Sequence, residues 1–160
     1  MTKIQLRNIW LHISGTLIHK MWVFAFMVQF ATKLIWRGVV HDNSKLGLHE
    51  FKGFARKIHR LKDSTYGSDE YQKMLAEKDF QEALSHHYRV NSHHPEYYQN
   101  ILSAMDLFDA VEMLSDWRAA VKRRKDGCIY RSFMRNEERF KIDNQFMGLL
   151  KNTIRNSTHG

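Results

Sequence analysis

Met105-Asp-Leu-Phe-Asp109-Ala-Val-Glu112-Met-Leu-Ser-Asp116-Trp-Arg118-Ala-Ala-Val-Lys122-Arg-Arg-Lys125 is the stretch whose reading decides the fold. Leu107, Phe108, Val111, Leu114 and Val121 recur at helical spacing, so this segment should form one helix with a buried face, and Gly127 supplies its stop. The rest of the chain agrees with that reading. Pro95 is the only proline, glycines number eight, and Leu, Met, Lys, Glu, Gln and Ala are plentiful, which is the composition of helices rather than of turn-rich sheets. A chain of 160 residues with 43% apolar content can bury one sizeable core. The expectation is an all-α fold: one compact domain over residues 1–160, with six to eight helices.

On the N-terminal side, apolar residues recur helically from 4 to 36, as one long helix or as two joined at Gly15. The run 21–31 resembles a membrane segment, but Gln29, Lys33 and Arg37 follow closely and the run is shorter than a bilayer-spanning stretch. It reads as a buried core helix with no membrane partner, and no secretion signal is evident. Cys128 stands alone, which excludes an intramolecular disulfide and a cysteine zinc cluster and fits a cytoplasmic setting. Further helices are expected at 48–61, weakly at 69–77, then at 80–90, 129–140 and 143–154, with a turn at 62–68. Pro95 should disfavour helical geometry at His94, leaving 91–95 as an exposed corner.

A net charge of +8 suggests an anionic partner. Its densest cluster, Lys122 to Lys125, also complements the end of a helix dipole. No aromatic residues interleave with that cluster to stack bases, and no zinc-finger or helix-turn-helix spacing occurs, so support for nucleic-acid binding is weak.

The chemistry is concentrated in ten histidines. Four of them, His86, His87, His93 and His94, share one short segment with Asn91 and Glu96. Imidazole is a common neutral metal ligand, so dense histidine beside carboxylates signals a metal. Were the helix to persist to His94, then His87, Asn91 and His94 would share one face. Asp109, Glu112 and Asp116 line one side of the 105–125 helix beside Met113 and Trp117. Carboxylates in such a surface need a cation, either a metal or Arg118, Lys122 and Arg123. His19, in an apolar stretch with His12 seven residues earlier, reads on its own as a hydrogen-bonded core histidine. His41-Asp42 sits where a helix ends and the backbone turns, so both side chains can reach one cation. Lys45 then adds a fixed positive charge, an arrangement suited to a phosphate.

The order His19, His41-Asp42, paired histidines and a later aspartate is similar to the His…His-Asp…Asp order of the HD superfamily of metal-dependent phosphohydrolases. His41-Asp42-Asn43-Ser44-Lys45 also resembles the His-Asp-x-x-Lys form of its two-metal cyclic-dinucleotide phosphodiesterases. The resemblance implies an HD-like fold and metal ligation by His19, His41, Asp42, one or more of His86, His87, His93 and His94, and Asp109 or Asp116. It makes Lys45 the phosphate-facing cation. The same superfamily contains di-iron oxygenases with nearly the same ligands, so ligand type leaves hydrolysis and oxidation both open. A second resemblance covers nearly the whole chain. His19-Lys20, His41-Asp42-x-Ser44-Lys45 with Glu50-Phe51, His86-His87-x3-Asn91-x-His93-His94, and Glu112-Met113-x2-Asp116-Trp117 look like an uncharacterised family of short microbial and viral proteins.

These readings converge on a phosphohydrolase with one or two divalent ions (Mn, Fe, Zn, Ni or Mg) activating water against a phosphate ester, a nucleotide above all. Asp42, Lys45 and Glu112 would take part in catalysis, with Arg118 or Lys122 as further phosphate cations. Asn91, Glu96 and Asp116 would orient the histidines or bind substrate. A di-iron oxygenase and a non-catalytic helical binding module with a basic surface are the alternatives.

Overall fold

The computed structural model describes residues 2–63, 68–123 and 127–157. Among them are seven α-helices, three short 3₁₀ turns and no strand, so the protein is all α as its composition requires. The chain divides into two units, Met1–Val40 and His41–Gly160, each described by itself.

The first unit is the single helix α1, Lys3–Val40. Gly15 does not break it. At 38 residues it is about 57 Å long. Described by itself, it has no buried residue. Trp10, Met21, Trp22, Phe24, Met27, Ile35 and Trp36 are all exposed. The unbroken apolar run at 21–28 covers every side of the helix, a pattern that favours all-round burial, in a core or in a membrane, over one stripe laid on a surface. By length and composition the stretch Lys3–Leu46 is also sufficient to cross a membrane; Lys33 and Arg37 interrupt it without ending it.

The second unit begins at a turn in which Asp42 adopts the left-handed conformation, φ 56° and ψ 16°, followed by a 3₁₀ turn at Asn43–Leu46. Helix α2 is Leu48–Asp63, α3 is Asp69–Leu75 and α4 is Lys78–Val90. Helices α2 and α4 approach closely because Gly53 has no side chain. A Cβ there would stand 2.6 Å from the Ala83 Cβ and 3.0 Å from the Asp79 carbonyl oxygen. Phe54 meets Phe80 edge-on at 5.4 Å, and the largely buried Lys57 pairs with Glu77. The turn expected at 62–68 falls largely on residues 64–67, which lie outside the described residues, as do Arg124 and Lys125 of the basic cluster.

His94 is extended, as Pro95 demands, and 3₁₀ turns follow at Pro95–Tyr98 and Leu102–Ala104. Helix α5 is Leu107–Lys122. It starts two residues later than its periodicity indicates because Asp106 and Asp109 form a capping box: the Asp106 carboxylate accepts from the Asp109 N–H, and Asp109 accepts from the Asp106 N–H. Its buried face is also rotated from the expected one. Ala110, Met113, Leu114 and Trp117 are buried, whereas Leu107 is 62% exposed. Helices α6, Ile129–Phe140, and α7, Asn144–Ser157, close the core, where Met113, Leu114 and Trp117 pack with Phe133, Phe140, Met147, Leu150 and Ile154. Because one face of α5 anchors in this core, the adjoining face, carrying Glu112 and Asp116, is fixed in position.

Candidate metal centre

Four segments of the second unit meet at one point: the His41-Asp42 turn, the C-terminal end of α4, the His93-His94 loop and the middle of α5. Helix α4 ends at Val90, short of His94, yet His87, Asn91 and His94 still come together. Asn91 closes the corner: its amide donates to the His87 carbonyl at 2.8 Å and to Ser44 Oγ at 2.8 Å.

The imidazole Nε2 atoms face inward because carboxylates hold the opposite nitrogens. Glu112 Oε1 accepts from His41 Nδ1 at 2.8 Å and lies 3.1 Å from His93 Nδ1. Fully buried Glu50 accepts from His87 Nδ1 at 2.9 Å, from His86 Nδ1 at 2.7 Å and from Ser44 Oγ at 3.0 Å. On the inner side, His87 Nε2 is 2.9 Å from His94 Nε2 and 3.3 Å from Asp42 Oδ1. His93 Nε2 is 3.5 Å from the same oxygen, and His41 Nε2 is 3.5 Å from Asp42 Oδ2 and 3.7 Å from Asp116 Oδ1.

Three overlapping groups result: Asp42, His87, His93 and His94; His41, His93 and Glu112; and His41, Asp42 and Asp116. Within each, the ligand atoms lie within 4.8 Å of one another, a spacing that could hold a metal ion. Asp42 Oδ1 and His93 Nε2 are buried with no hydrogen-bond partner among the described residues. A buried carboxylate oxygen and an imidazole nitrogen left unmatched and facing one another are a poor arrangement for the protein alone. A cation between them would satisfy both, so the donor set fits a divalent ion.

The electrostatics agree with that fit. Burial lowers the pKa of His93, and burial with the neighbouring His93 and His87 lowers that of His94 to about 3, so both rings are neutral and able to ligate near neutral pH. Burial works against the Asp42 anion, but the His87 imidazole close to it and the charge of Lys45 outweigh it and hold its pKa well below the usual range. Asp116 is lowered too, its hydrogen bond with His41 overcoming burial. His41 is raised to about 9, chiefly by Asp116, against its own burial and with help from Glu112. In the metal-free chain His41 therefore carries the proton that an entering cation must displace.

The remaining expected site residues of the second unit fall outside the three groups. Asp109 is 2% exposed and accepts from Ser92 Oγ and Tyr98 Oη, both at 2.7 Å, besides capping α5. It stands outside the three groups, while Asp116, about two turns along the helix, stands inside one of them. His86 reaches Glu50 rather than the centre. Lys45 donates to Asp42 Oδ2 and lies 5.1 Å from the centre of the Phe54 ring, which ties it to a ligand. Glu96 pairs with Arg139, and Arg118 and Lys122 are exposed on α5. His19 belongs to α1, in the first unit. Sequence reasoning assigned no role to Glu50 and Ser44; their signal was present in His41-Asp42-x-Ser44-Lys45 with Glu50-Phe51, the spacing of one turn followed by the first turn of a helix.

Fold and site together define an all-helical protein with a histidine and carboxylate cluster able to hold a metal ion. The chain belongs to a family of unknown function, DUF5662, whose model matches residues 8–156. No curated protein and no solved structure matches it.

Proposed function

We propose that the chain is a metal-dependent phosphohydrolase of HD type that acts on a nucleotide or a related phosphate ester. The observation that carries this reading is the sharing of Asp42 between two of the three ligand groups, with its Oδ1 and His93 Nε2 buried and without hydrogen-bond partners among the described residues. A carboxylate common to two ligand groups could serve two ions held side by side. Two ions side by side suit phosphoryl chemistry, where charge on attacking and leaving oxygens must be neutralised together.

His87, His93, His94 and Asp42 would hold one ion, and His41, Asp42 and Asp116 the other. When bound, such ions supply a Lewis acid that makes water nucleophilic near neutral pH and withdraws charge from phosphate oxygens. The chain's own residues do the positioning. Glu112 fixes two rings and Glu50 a third, which keeps the Nε2 lone pairs aimed inward. Lys45 keeps the Asp42 carboxylate ionised and turned toward the cluster.

Elemental analysis of protein purified without added metal or a histidine tag, read with its visible spectrum, is the first test. Near-stoichiometric manganese, zinc, nickel or magnesium in a colourless protein, lost in His41→Ala and Asp42→Ala and accompanied by phosphatase or nucleotide hydrolysis, is the expected result. Two irons with visible colour and no hydrolysis would replace this reading with oxygen chemistry. Metal content unchanged in both variants would refute the site itself.

A further inference from the structure

The ligand groups are not alike, and they divide at the carboxylate of Asp42. Its Oδ1 faces His87 Nε2 at 3.3 Å and His93 Nε2 at 3.5 Å, and His87 Nε2 lies 2.9 Å from His94 Nε2. Its Oδ2 faces His41 Nε2 instead, at 3.5 Å, and that nitrogen is 3.7 Å from Asp116 Oδ1. Three imidazoles and one carboxylate thus gather on the Oδ1 side, and one imidazole and two carboxylates on the Oδ2 side. In a tetrahedral site with bonds of about 2.0–2.1 Å, neighbouring ligand atoms stand about 3.3–3.4 Å apart. The separations on the Oδ1 side bracket that edge. That side is also dry: the side chains of His87 and His93 are 2% and 3% exposed, and His93 Nε2 is buried without a hydrogen-bond partner among the described residues. The side chains of His41 and Asp116 are each 27% exposed. Oδ2 also accepts from the Lys45 ammonium, whose charge a cation on that side must face across the same oxygen. Glu112 meets His41 and His93 at Nδ1, so it orients one ring of each site rather than forming a further one.

Ligand number and type separate the two sides chemically. Four protein ligands at tetrahedral spacing complete the coordination of an ion, as in closed zinc sites, and three imidazole nitrogens favour zinc or cobalt over magnesium. Three ligands on an accessible edge, two of them carboxylates, leave positions for water and for a phosphate oxygen and suit a harder ion such as manganese or magnesium. We infer that the cluster is a pair of unequal sites: a closed one, at Asp42 Oδ1, His87, His93 and His94, that holds a zinc-class ion tightly, and an open one, at His41, Asp42 Oδ2 and Asp116, that takes a weaker, exchangeable ion and is where substrate approaches. The approach of substrate to the open ion rests on the phosphohydrolase reading. The inequality of the sites is a property of binding and is measured without turnover.

The test is titration of the full chain, stripped of metal by a chelator, with cobalt(II) as a coloured stand-in for zinc. Tetrahedral cobalt(II) absorbs intensely in the visible, whereas six-coordinate cobalt(II) with oxygen ligands absorbs weakly, so the spectrum reports the site as well as the stoichiometry. The first equivalent should bring the intense bands. A second should add little colour and bind about tenfold or more weakly, since it faces Lys45 and the first ion at close range. Asp116→Asn should abolish the second step and leave the first spectrum unchanged, whereas His94→Gln should cost the first step its intense bands. The wild type and Asp116→Asn decide the matter should His94→Gln fail to fold by circular dichroism. Two equal steps with one spectrum, a first equivalent without intense bands, loss of those bands in Asp116→Asn, or their survival in a folded His94→Gln would each overturn the inference. Equal steps in a protein that still hydrolyses phosphate esters would overturn it and leave the hydrolase standing. Unequal steps in a protein that hydrolyses none would uphold the two sites and count against the hydrolase.

Discussion

Glu112→Ala removes a single carboxylate that holds two histidines, and the consequence can be worked from its contacts. Glu112 Oε1 accepts from His41 Nδ1 at 2.8 Å and stands 3.1 Å from His93 Nδ1, and these rings belong to different but overlapping ligand groups. Without it, each ring is free to rotate or to change tautomer, and each must be reordered when a cation binds. Loss of such an orienting partner commonly lowers metal affinity about 10- to 100-fold. One carboxylate serving two ligands places Glu112→Ala near the upper end, about 100-fold. The apparent affinity is read by competition against a chromophoric chelator, in protein first stripped of metal. Glu112→Gln, whose amide oxygen still accepts from one ring, should fall between the alanine variant and the wild type. The double variant Glu112→Ala/His93→Ala should lose less than the sum of its parts, because the second change removes a ligand already disordered by the first. Affinity within about twofold of wild type in Glu112→Ala, with the fold intact by circular dichroism, would refute the claim that this carboxylate organises the centre.

Stability of the metal-free protein should peak near pH 6.5. His41 has a folded pKa raised from 6.5 to about 9, so its contribution is complete below pH 6.5 and disappears as pH rises toward 9; it amounts to at most about 3 kcal/mol. His94, lowered from 6.5 to about 3, takes up a proton more readily when unfolded, so stability also falls as pH drops below 6.5. Urea unfolding in chelator from pH 5 to 9 checks both limbs; His41→Gln should flatten the alkaline limb alone, and an unchanged limb in that variant would contradict the assignment. Gly53→Ala, which in an ordinary helix stabilises by about 0.5–1 kcal/mol, should here destabilise by about 1–3 kcal/mol, since its Cβ would meet Ala83 and a backbone oxygen. A rise in the denaturation midpoint would show that α2 and α4 yield more easily than their spacing implies.

The helical class was legible because it depends on local quantities: scarce proline and glycine, and apolar periodicity. The ends of helices were legible where a single residue dictates geometry, as Pro95 does at His94. The start of α5 was not, because a capping box between two aspartates overrides the apolar count. The nature of α1 was not legible either, since an all-round apolar run has no preferred face and composition alone does not say what covers it. At the centre, His41-Asp42 stood out through its place at a helix end. The distinction between Asp109 and Asp116 did not, since both lie on one helix side in sequence. What separates them is tertiary: Ser92 and Tyr98, brought in by the corner before α5, engage Asp109 and leave Asp116 to face His41. Glu50 was equally hidden, because a buried carboxylate cannot be told from a surface one until its histidines arrive.

Asp42 occupies left-handed backbone, a conformation that costs a non-glycine residue free energy, and its Oδ1 lies buried without a hydrogen-bond partner among the described residues. The metal-free fold thus carries a local conflict at the residue on which two ligand groups depend. An ion that relieves this conflict would stabilise the folded chain in proportion to its own free concentration. In a cell, scarcity of the right metal would then be felt as shortened protein lifetime, because proteases act on the opened state. Ion supply would govern how much of this protein exists, and not only whether each copy works.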